Sequence, residues 1–203
     1  MSDLMSMLSQ ALGGNTVSQI ARQIGADESQ TSTAINAALP ILLGALDRNT
    51  DQPGGADALF GALKNDHDGS LLDNLGGFLG GSLGESRATA GSAILNHILG
   101  GKQRSVETGL GRASGLDVAT IAKLLPILAP IVMGVLGRLS SQKGLDASGV
   151  SGYLTGERER AQKTQPDGMA VLGNLLDSNN DGEVIDDVVK LGSGLLGSFL
   201  SGR

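Results

Sequence analysis

The sequence contains no cysteine and no tryptophan, and only 2% of its 203 residues are aromatic. Without cysteine, the chain cannot form a disulfide framework or a zinc or iron–sulfur site with thiolate ligands. Charged residues are also few, at 18%, and 21 acidic residues outnumber 15 basic ones. A phosphate-binding surface needs clustered cations, and the basic residues here are scattered along the chain. We therefore do not expect nucleic acid or anionic membrane as default partners.

Glycine and aliphatic residues are what the sequence has in excess, with 32 glycines and 40% hydrophobic residues. The chain can bury an aliphatic core whose helices pack closely across glycines, so disorder driven by charge is excluded. The longest apolar run, Leu124 to Gly137, has 14 residues and contains two prolines. A bilayer requires about 20 residues, so we expect a buried, kinked core helix and no integral membrane span. The N-terminus lacks the features of a secretory signal, which favours a cytoplasmic location.

An internal duplication is the strongest pattern in the sequence. Arg22 corresponds to Arg112 and Pro40 to Pro130, at the same offset of 90 residues and without a gap. In the first copy, Gly25 is expected to end one helix, Asp27 to N-cap the next, and Gln30 to complete a capping box. In the second copy, Gly115 and Asp117 take the first two of these roles. The pattern predicts two related helical units, with proline inside the second helix of each.

The predicted fold is therefore all-α and multihelical. Two helical repeats, at about 12–63 and 101–154, flank a glycine-rich connecting segment at 64–100, and together they form a duplicated body over 1–154. A polar linker is predicted at 155–169, followed by a C-terminal helix–loop–helix at 170–203. Repeat-matched glycines such as Gly44 and Gly134 are expected to allow close approach of helices.

The most specific chemical motif lies in the C-terminal segment. Oxygen-bearing residues alternate in Asp177-Ser-Asn179-Asn-Asp181-Gly182, which matches the first half of an EF-hand calcium loop. Position twelve, where an EF-hand has a bidentate glutamate, is Val188, and Asp187 is the closest substitute. We expect a variant calcium loop; an acidic turn before a helix N-terminus is the alternative. The predicted Ca²⁺ ligands are Asp177, Asn179, Asp181, Glu183 and Asp187.

An earlier segment resembles this loop in a degenerate form. Asp66, Asp68, Gly69 and Asp73 align with Asn179, Asp181, Gly182 and Asp186, but the first ligand position is Lys64. An ammonium group cannot coordinate a cation. Whether the 64–74 loop binds any ion stays open in the sequence, and His67 is expected to be a solvated side chain.

A second motif, Ile20-Ala-x-x-Ile-Gly25 followed by a capped helix, is similar to a helix-turn-helix. A recognition helix presents cations and amides to DNA, whereas this one begins Asp27-Glu28-Ser29. DNA binding is therefore an alternative function and helix packing the favoured interpretation. The sequence contains no recognisable nucleophile–base pair or phosphate-binding loop, so we expect the protein not to be an enzyme.

The paired Gly-x-Asp and Pro-Ile-x-x-Gly helices, together with the loop Asp66-His-Asp-Gly-Ser-Leu-Leu-Asp73, resemble the YidB-like family of bacterial domains of unknown function. The resemblance covers most of residues 12–155, and the acidic tail loop is similar to one that some members carry. It implies an all-helical fold with a homeodomain-like substructure and supplies no catalytic residues. The chain departs from a single-unit member because it contains two copies.

These observations favour a non-enzymatic helical scaffold or interaction protein with a weak Ca²⁺ site. A protein partner or self-association is expected. A nucleic-acid-binding protein is the first alternative. A membrane-surface protein that uses the Leu124 to Gly137 helix is the second alternative.

Overall fold

The described part of the chain is all-α in the computed structural model, as the sequence predicts. The structure describes the backbone of residues 3–80 and 85–164 and the side chains of residues 3–80 and 89–160. Within these ranges there is no β-strand, and a short 3-10 turn, Gly100–Lys102, separates two of the helices. The helices are α1 (Asp3–Ala11), α2 (Thr16–Ile24), α3 (Glu28–Thr50), α4 (Gly55–Asn65), α5 (Ser70–Asp73), α6 (Leu75–Gly80), α7 (Glu85–Leu99), α8 (Gln103–Ser114), α9 (Val118–Lys143) and α10 (Ala147–Thr164).

The turns before the two long helices, α3 and α9, have the same geometry. Gly25 and Gly115 end the preceding helices with φ of 75° and 76°, a left-handed conformation that glycine adopts without steric cost. Asp27 then accepts hydrogen bonds from the N–H groups of Ser29 and Gln30, and Asp117 accepts one from Thr120. The predicted caps are confirmed. The side-chain amide of Gln30 instead donates to the carbonyl of Gly115, at 3.3 Å, and so joins the two turns.

The prolines lie inside α3 and α9 without ending either helix. Pro130 has no N–H group, so it cannot bond the carbonyl of Pro126 one turn earlier in α9. Gly91 of α7 packs directly against that carbonyl, and a Cβ atom on Gly91 would collide with it. The glycine thus brings α7 onto the stretch of α9 where the helical hydrogen-bond ladder is interrupted.

The core is aliphatic and centres on α9. Every residue from Ile127 to Gly137 is buried, and α9 contacts α1, α2, α3, α4, α5, α7 and α8. The helix has 26 residues and its most apolar 18-residue window has a mean hydropathy of 2.0, so by length and composition alone it could cross a membrane. However, 72% of its most apolar window is buried inside the protein. This burial matches the predicted core helix, which extends beyond the apolar run on both sides.

The packing of the long helices is reciprocal between the two halves of the chain. α3 contacts α8 and α10 from the second half, and α9 contacts α1, α2 and α4 from the first. Each long helix therefore completes its core with helices from the other half. The duplication itself stays an inference from the sequence.

The structure differs from the sequence-based expectation at the end of the body. Residues 155–169 were expected to be a polar linker, whereas α10 continues as a helix to Thr164. Thr155 and Arg158 bond to α3, and Glu157 is buried. The sequence did not indicate this contact because Asp47 lies more than 100 residues before Thr155.

The glycines that permit close approach are not the repeat-matched pair that the sequence indicated. A Cβ atom on Gly44 would meet nothing within 4 Å, and one on Gly134 would make ordinary contacts with Leu72 at 3.6 Å. At Gly137, in contrast, a Cβ atom would collide with the carbonyl oxygen of His67. The prediction for Gly44 and Gly134 was wrong because spacing along a helix does not reveal which turn a neighbouring backbone crosses.

Substitution of Gly137 by alanine is expected to destabilise the protein by about 1–3 kcal/mol, because the loop at His67 must move away from α9. Gly44→Ala is the matched control in the equivalent helix. It is expected to be neutral or to stabilise by up to about 1 kcal/mol, since alanine is the better helix former and the space is open. Urea unfolding of both variants measures these changes. Equal effects at the two positions would contradict the close approach at Gly137.

The helix caps predict how stability depends on pH. Hydrogen bonds from the Ser29 and Thr120 side chains are the main cause that lowers the pKa of Asp27 and Asp117 from the ordinary 3.8. A carboxyl whose pKa is lower in the folded protein stabilises the fold at every pH above its pKa in the unfolded chain. This stabilisation is lost as the pH falls through the pKa of the folded state. We therefore expect the free energy of unfolding to fall below about pH 4.

The double variant Asp27→Asn/Asp117→Asn is expected to lose part of this acid dependence, because an amide does not titrate. Urea unfolding at several pH values checks it, with the exposed Asp57 of α4 as the control position. If the double variant and the wild type lose stability in parallel on acidification, the caps do not contribute as inferred.

Candidate functional site

The predicted calcium loop lies outside the described residues. Its proposed ligands, Asp177, Asn179, Asp181, Glu183 and Asp187, therefore remain a prediction from the sequence. The same holds for the C-terminal helix–loop–helix of residues 170–203. The candidate sites that the structure does describe are the earlier acidic loop, the helix-turn-helix-like unit and a buried polar cluster under α10.

The acidic residues of the earlier loop point to different partners. Asp68 Oδ1 accepts a hydrogen bond from the Ser70 N–H at 2.9 Å, which lowers the pKa of Asp68. Asp73 forms an ion pair with Arg138 at 2.6 Å. Among the residues that the structure describes, no three His, Asp or Glu side chains are grouped so that they could hold a metal ion. The oxygens of this loop are used to shape it and to attach it.

This loop packs tightly onto α9. Arg138 donates to the carbonyl of Gly69 at 2.7 Å as well as to Asp73, and the His67 carbonyl lies against Gly137. Gly69 has a φ of 94°, and a Cβ there would lie 2.7 Å from Cβ of Arg138. His67 is partly buried, and this burial lowers the pKa of its imidazole, so the side chain is less solvated than expected. The loop is thus a structural contact between the connecting segment and the core helix.

The helix-turn-helix-like unit places its second helix in the centre of the protein. The exposed residues of α3 are Glu28, Ser29, Thr33 and Asn36, all in its first three turns. From Ala38 onward α3 is mostly buried, and it contacts helices of both halves. The turn geometry of a helix-turn-helix is present, but the exposed face of α3 offers one carboxylate and small polar groups.

The polar cluster, which we define as Asp47, Thr50, Ser151, Thr155 and Arg158, joins α3 to α10. The side chain of Asp47 is fully buried, at 0% exposure, near the end of an otherwise apolar helix face. Its Oδ1 accepts a hydrogen bond from the Thr155 hydroxyl at 2.8 Å. Its Oδ2 lies 3.0 Å from Nε of Arg158, in an ion pair that lacks hydrogen-bond geometry. Both partners of the buried carboxylate therefore come from α10.

Hydroxyl groups extend the polar cluster along the same interface. Thr50 donates from Oγ1 to the Asp47 carbonyl at 2.7 Å or shares a hydrogen bond with the Ser151 hydroxyl at 3.0 Å. Removal of a carboxylate from water costs several kcal/mol, and only a close cation and hydrogen bonds offset that cost. The guanidinium of Arg158, with its side chain 35% exposed, brings the counter-charge from the surface. The chemistry of this site is the docking of a helix by charge and hydrogen bonding.

The fold and these contacts define the class of protein: an all-α bundle around one apolar helix, in which the polar groups described above join helices. The chain belongs to the DUF937 family, bacterial proteins of unknown function, whose sequence model matches residues 6–139. The resemblance to the YidB-like family is thereby confirmed. The matched range runs from α1 into α9, so α10 and the C-terminal segment lie beyond it. Comparison with curated proteins gave no match, and comparison with solved structures gave none either.

The polar cluster was not predicted from the sequence. One signal was present: Asp47 directly follows the apolar run Ile41 to Leu46 on a helix predicted to be buried on all sides. A carboxylate in that place requires a cation, but the sequence does not indicate which of the 15 basic residues supplies it.

The buried pair predicts an asymmetric response to substitution. Arg158→Leu leaves the Asp47 carboxylate buried without its counter-ion and is expected to cost about 3–5 kcal/mol of stability. Asp47→Asn keeps an acceptor for Thr155 and leaves an arginine that can reach water, so about 1–2 kcal/mol is expected. Arg112→Leu, at an exposed position on α8, is the control. Urea unfolding measures all three, and a larger loss for Asp47→Asn than for Arg158→Leu would contradict the pairing.

Proposed function

We propose that this protein is a non-enzymatic helical scaffold or interaction protein whose C-terminal segment binds Ca²⁺. The observation that carries the scaffold role is the use of polar side chains between helices. Asn49 donates to the carbonyls of His97 and Ile98 at the end of α7, at 3.0 and 3.2 Å. Arg138 attaches the loop of residues 66–69, and Asp47 holds α10. These groups use their bonding capacity to hold helices in place.

The calcium role rests on the spacing of oxygen ligands in the C-terminal loop. Asp177, Asn179 and Asp181 alternate before Gly182, which permits the sharp turn, and the carbonyl of Glu183 supplies a further oxygen. Asp187 replaces the missing glutamate one residue early. Because that replacement shortens the loop, we expect weak binding, with a Kd no tighter than about 10⁻⁵ M.

The path of α10 supports a connection between the loop and the body. α10 ends at Thr164, and twelve residues separate it from Asp177. Thr155 and Arg158 attach α10 to the body through Asp47. The loop is therefore joined to the body by twelve residues, and we propose a protein partner or a second copy of the chain, in the cytoplasm, as what the protein engages.

Calorimetric titration of the full chain with CaCl₂ tests the calcium role. The wild type is expected to release or absorb heat with saturation, and Asp177→Ala and Asp181→Ala are expected to lose this signal. Asp66→Ala, at the aligned exposed position of the earlier loop, is the matched control and should bind like the wild type. Absence of heat at millimolar calcium in the wild type, or its persistence in both loop variants, would overturn the proposal.

One observation favours a nucleic-acid-binding protein as a second candidate. α2, the turn at Gly25 to Asp27 and the start of α3 have the order and caps of a helix-turn-helix. Against it, the exposed start of α3 carries Glu28 and no cation. A DNA gel-shift assay over a range of salt concentrations separates the two candidates, because phosphate contacts weaken steeply with salt. Flotation with liposomes tests the membrane-surface alternative, because a membrane-bound protein rises with the vesicles.

A further inference from the structure

We propose that the face of α3 and α4 beneath α10 is a helix-docking surface, and that a second copy of the chain can occupy it with its own α10. This inference names a partner for the proposed interaction role, and it does not depend on calcium. It rests on the chemistry of the surface, on the helix that fits it, on the range of the family match and on the turn that connects α9 to α10.

The surface has a definite chemistry. α10 lies on α3 and α4 and covers Asp47, a carboxylate with 0% exposure. A bare surface would leave this aspartate exposed near the end of an apolar helix face. A helix that binds there must therefore bring a cation and a hydrogen-bond donor to one position, in addition to apolar side chains.

α10 supplies this pattern with regular helical spacing. Val150 and Leu154 are buried four residues apart, at 0% and 1% exposure. Ser151 and Thr155 repeat the same spacing with hydroxyl groups, and Arg158 follows Thr155 by three residues. Residues at these spacings share one face of a helix, so α10 presents one apolar stripe beside one polar stripe. A helix that lacks the polar stripe would leave the buried carboxylate of Asp47 without a hydrogen-bond donor and a counter-ion.

The surface and its helix lie on different sides of the family boundary. The match to the family ends at residue 139, so α3 and α4 lie within it and α10 lies outside it. The helix that neutralises Asp47 is thus supplied by the part of the chain that follows the matched range.

The connection permits exchange. Only Gly144, Leu145 and Asp146 separate α9 from α10, and Gly144 has a φ of 60°. A change in the backbone conformation of this turn would carry α10 away from its own body. A second copy whose α10 has also moved away would then bind it, and every α3–α10 contact would form between the two chains. Reciprocal packing already exists within the chain, since α4 contacts α9 and α10 contacts α3.

Single cysteines test the exchange directly, because the chain has none of its own. Thr50 Oγ1 and Ser151 Oγ are 3.0 Å apart across the α3–α10 interface, so thiols placed there lie close to bonding reach. Full-length Thr50→Cys and Ser151→Cys variants are mixed at high concentration under mild oxidation. We expect a disulfide-linked species of about twice the 20.5 kDa chain mass, several-fold more abundant than in either variant alone.

Two controls make the result decisive. The double variant Thr50→Cys/Ser151→Cys must form the bond, mostly within one chain, which verifies the geometry and the fold. Thr50→Cys mixed with Ser141→Cys, an exposed position on α9, reports random collisions. If the Thr50–Ser151 mixture gives no more linked dimer than this control, while the double variant does form its bond, α10 docks only on its own chain and the proposal is overturned.

A charge-reversal experiment gives a second readout without cysteine. Asp47→Arg and Arg158→Asp each place like charges across the interface within their own chain, but an exchanged heterodimer restores both opposite pairs. Light scattering is expected to detect a dimer in the mixture at least several-fold above either variant alone. A mixture that stays monomeric, while the double variant Asp47→Arg/Arg158→Asp regains its stability, contradicts exchange. Calcium titration of the same proteins reports separately on the C-terminal loop.

Discussion

The burial of α9 is the constraint on which the rest of the structure depends. This 26-residue helix, whose most apolar window has a mean hydropathy of 2.0, must be covered on nearly every side. The sequence offers few aromatic side chains to fill space, so coverage comes from aliphatic contacts and from backbones that approach closely. Gly91 against the Pro126 carbonyl and Gly137 against the His67 carbonyl are two places where a single methyl group would force α9 and its cover apart.

Aliphatic packing alone leaves the position of each covering element loosely defined, because leucine and isoleucine contacts tolerate sliding. Hydrogen bonds and ion pairs between helices fix the position of each covering element. Arg138 fixes the 66–69 loop, Asn49 fixes the end of α7, and Asp47 fixes α10. Each of these contacts joins residues at least 48 positions apart. They therefore act on the tertiary arrangement and have no effect on the formation of any single helix.

Local features could be predicted well from the sequence. The left-handed glycines at 25 and 115 and the aspartate caps at 27 and 117 follow from steric and hydrogen-bonding rules within four residues, and all of them occur in the structure. The candidate site was harder to predict from the sequence. The loop at 66–73 had the composition of an ion site, yet its carboxylates cap Ser70 and pair with Arg138, and the latter partner is not visible from local spacing.

The sequence by itself determined the all-α class, the buried long helices and the caps at which they begin, because periodicity and capping act over one or two turns. Only the tertiary structure decided which glycines carry a close approach, that α10 continues into the predicted linker as far as Thr164, and that Asp47 is paired with Arg158. The contacts of Asp47 with Thr155 and Arg158 join residues more than 100 positions apart. Local rules set the conformation of a segment, but the electrostatic cost of a buried charge is settled only by the neighbour that the fold brings to it.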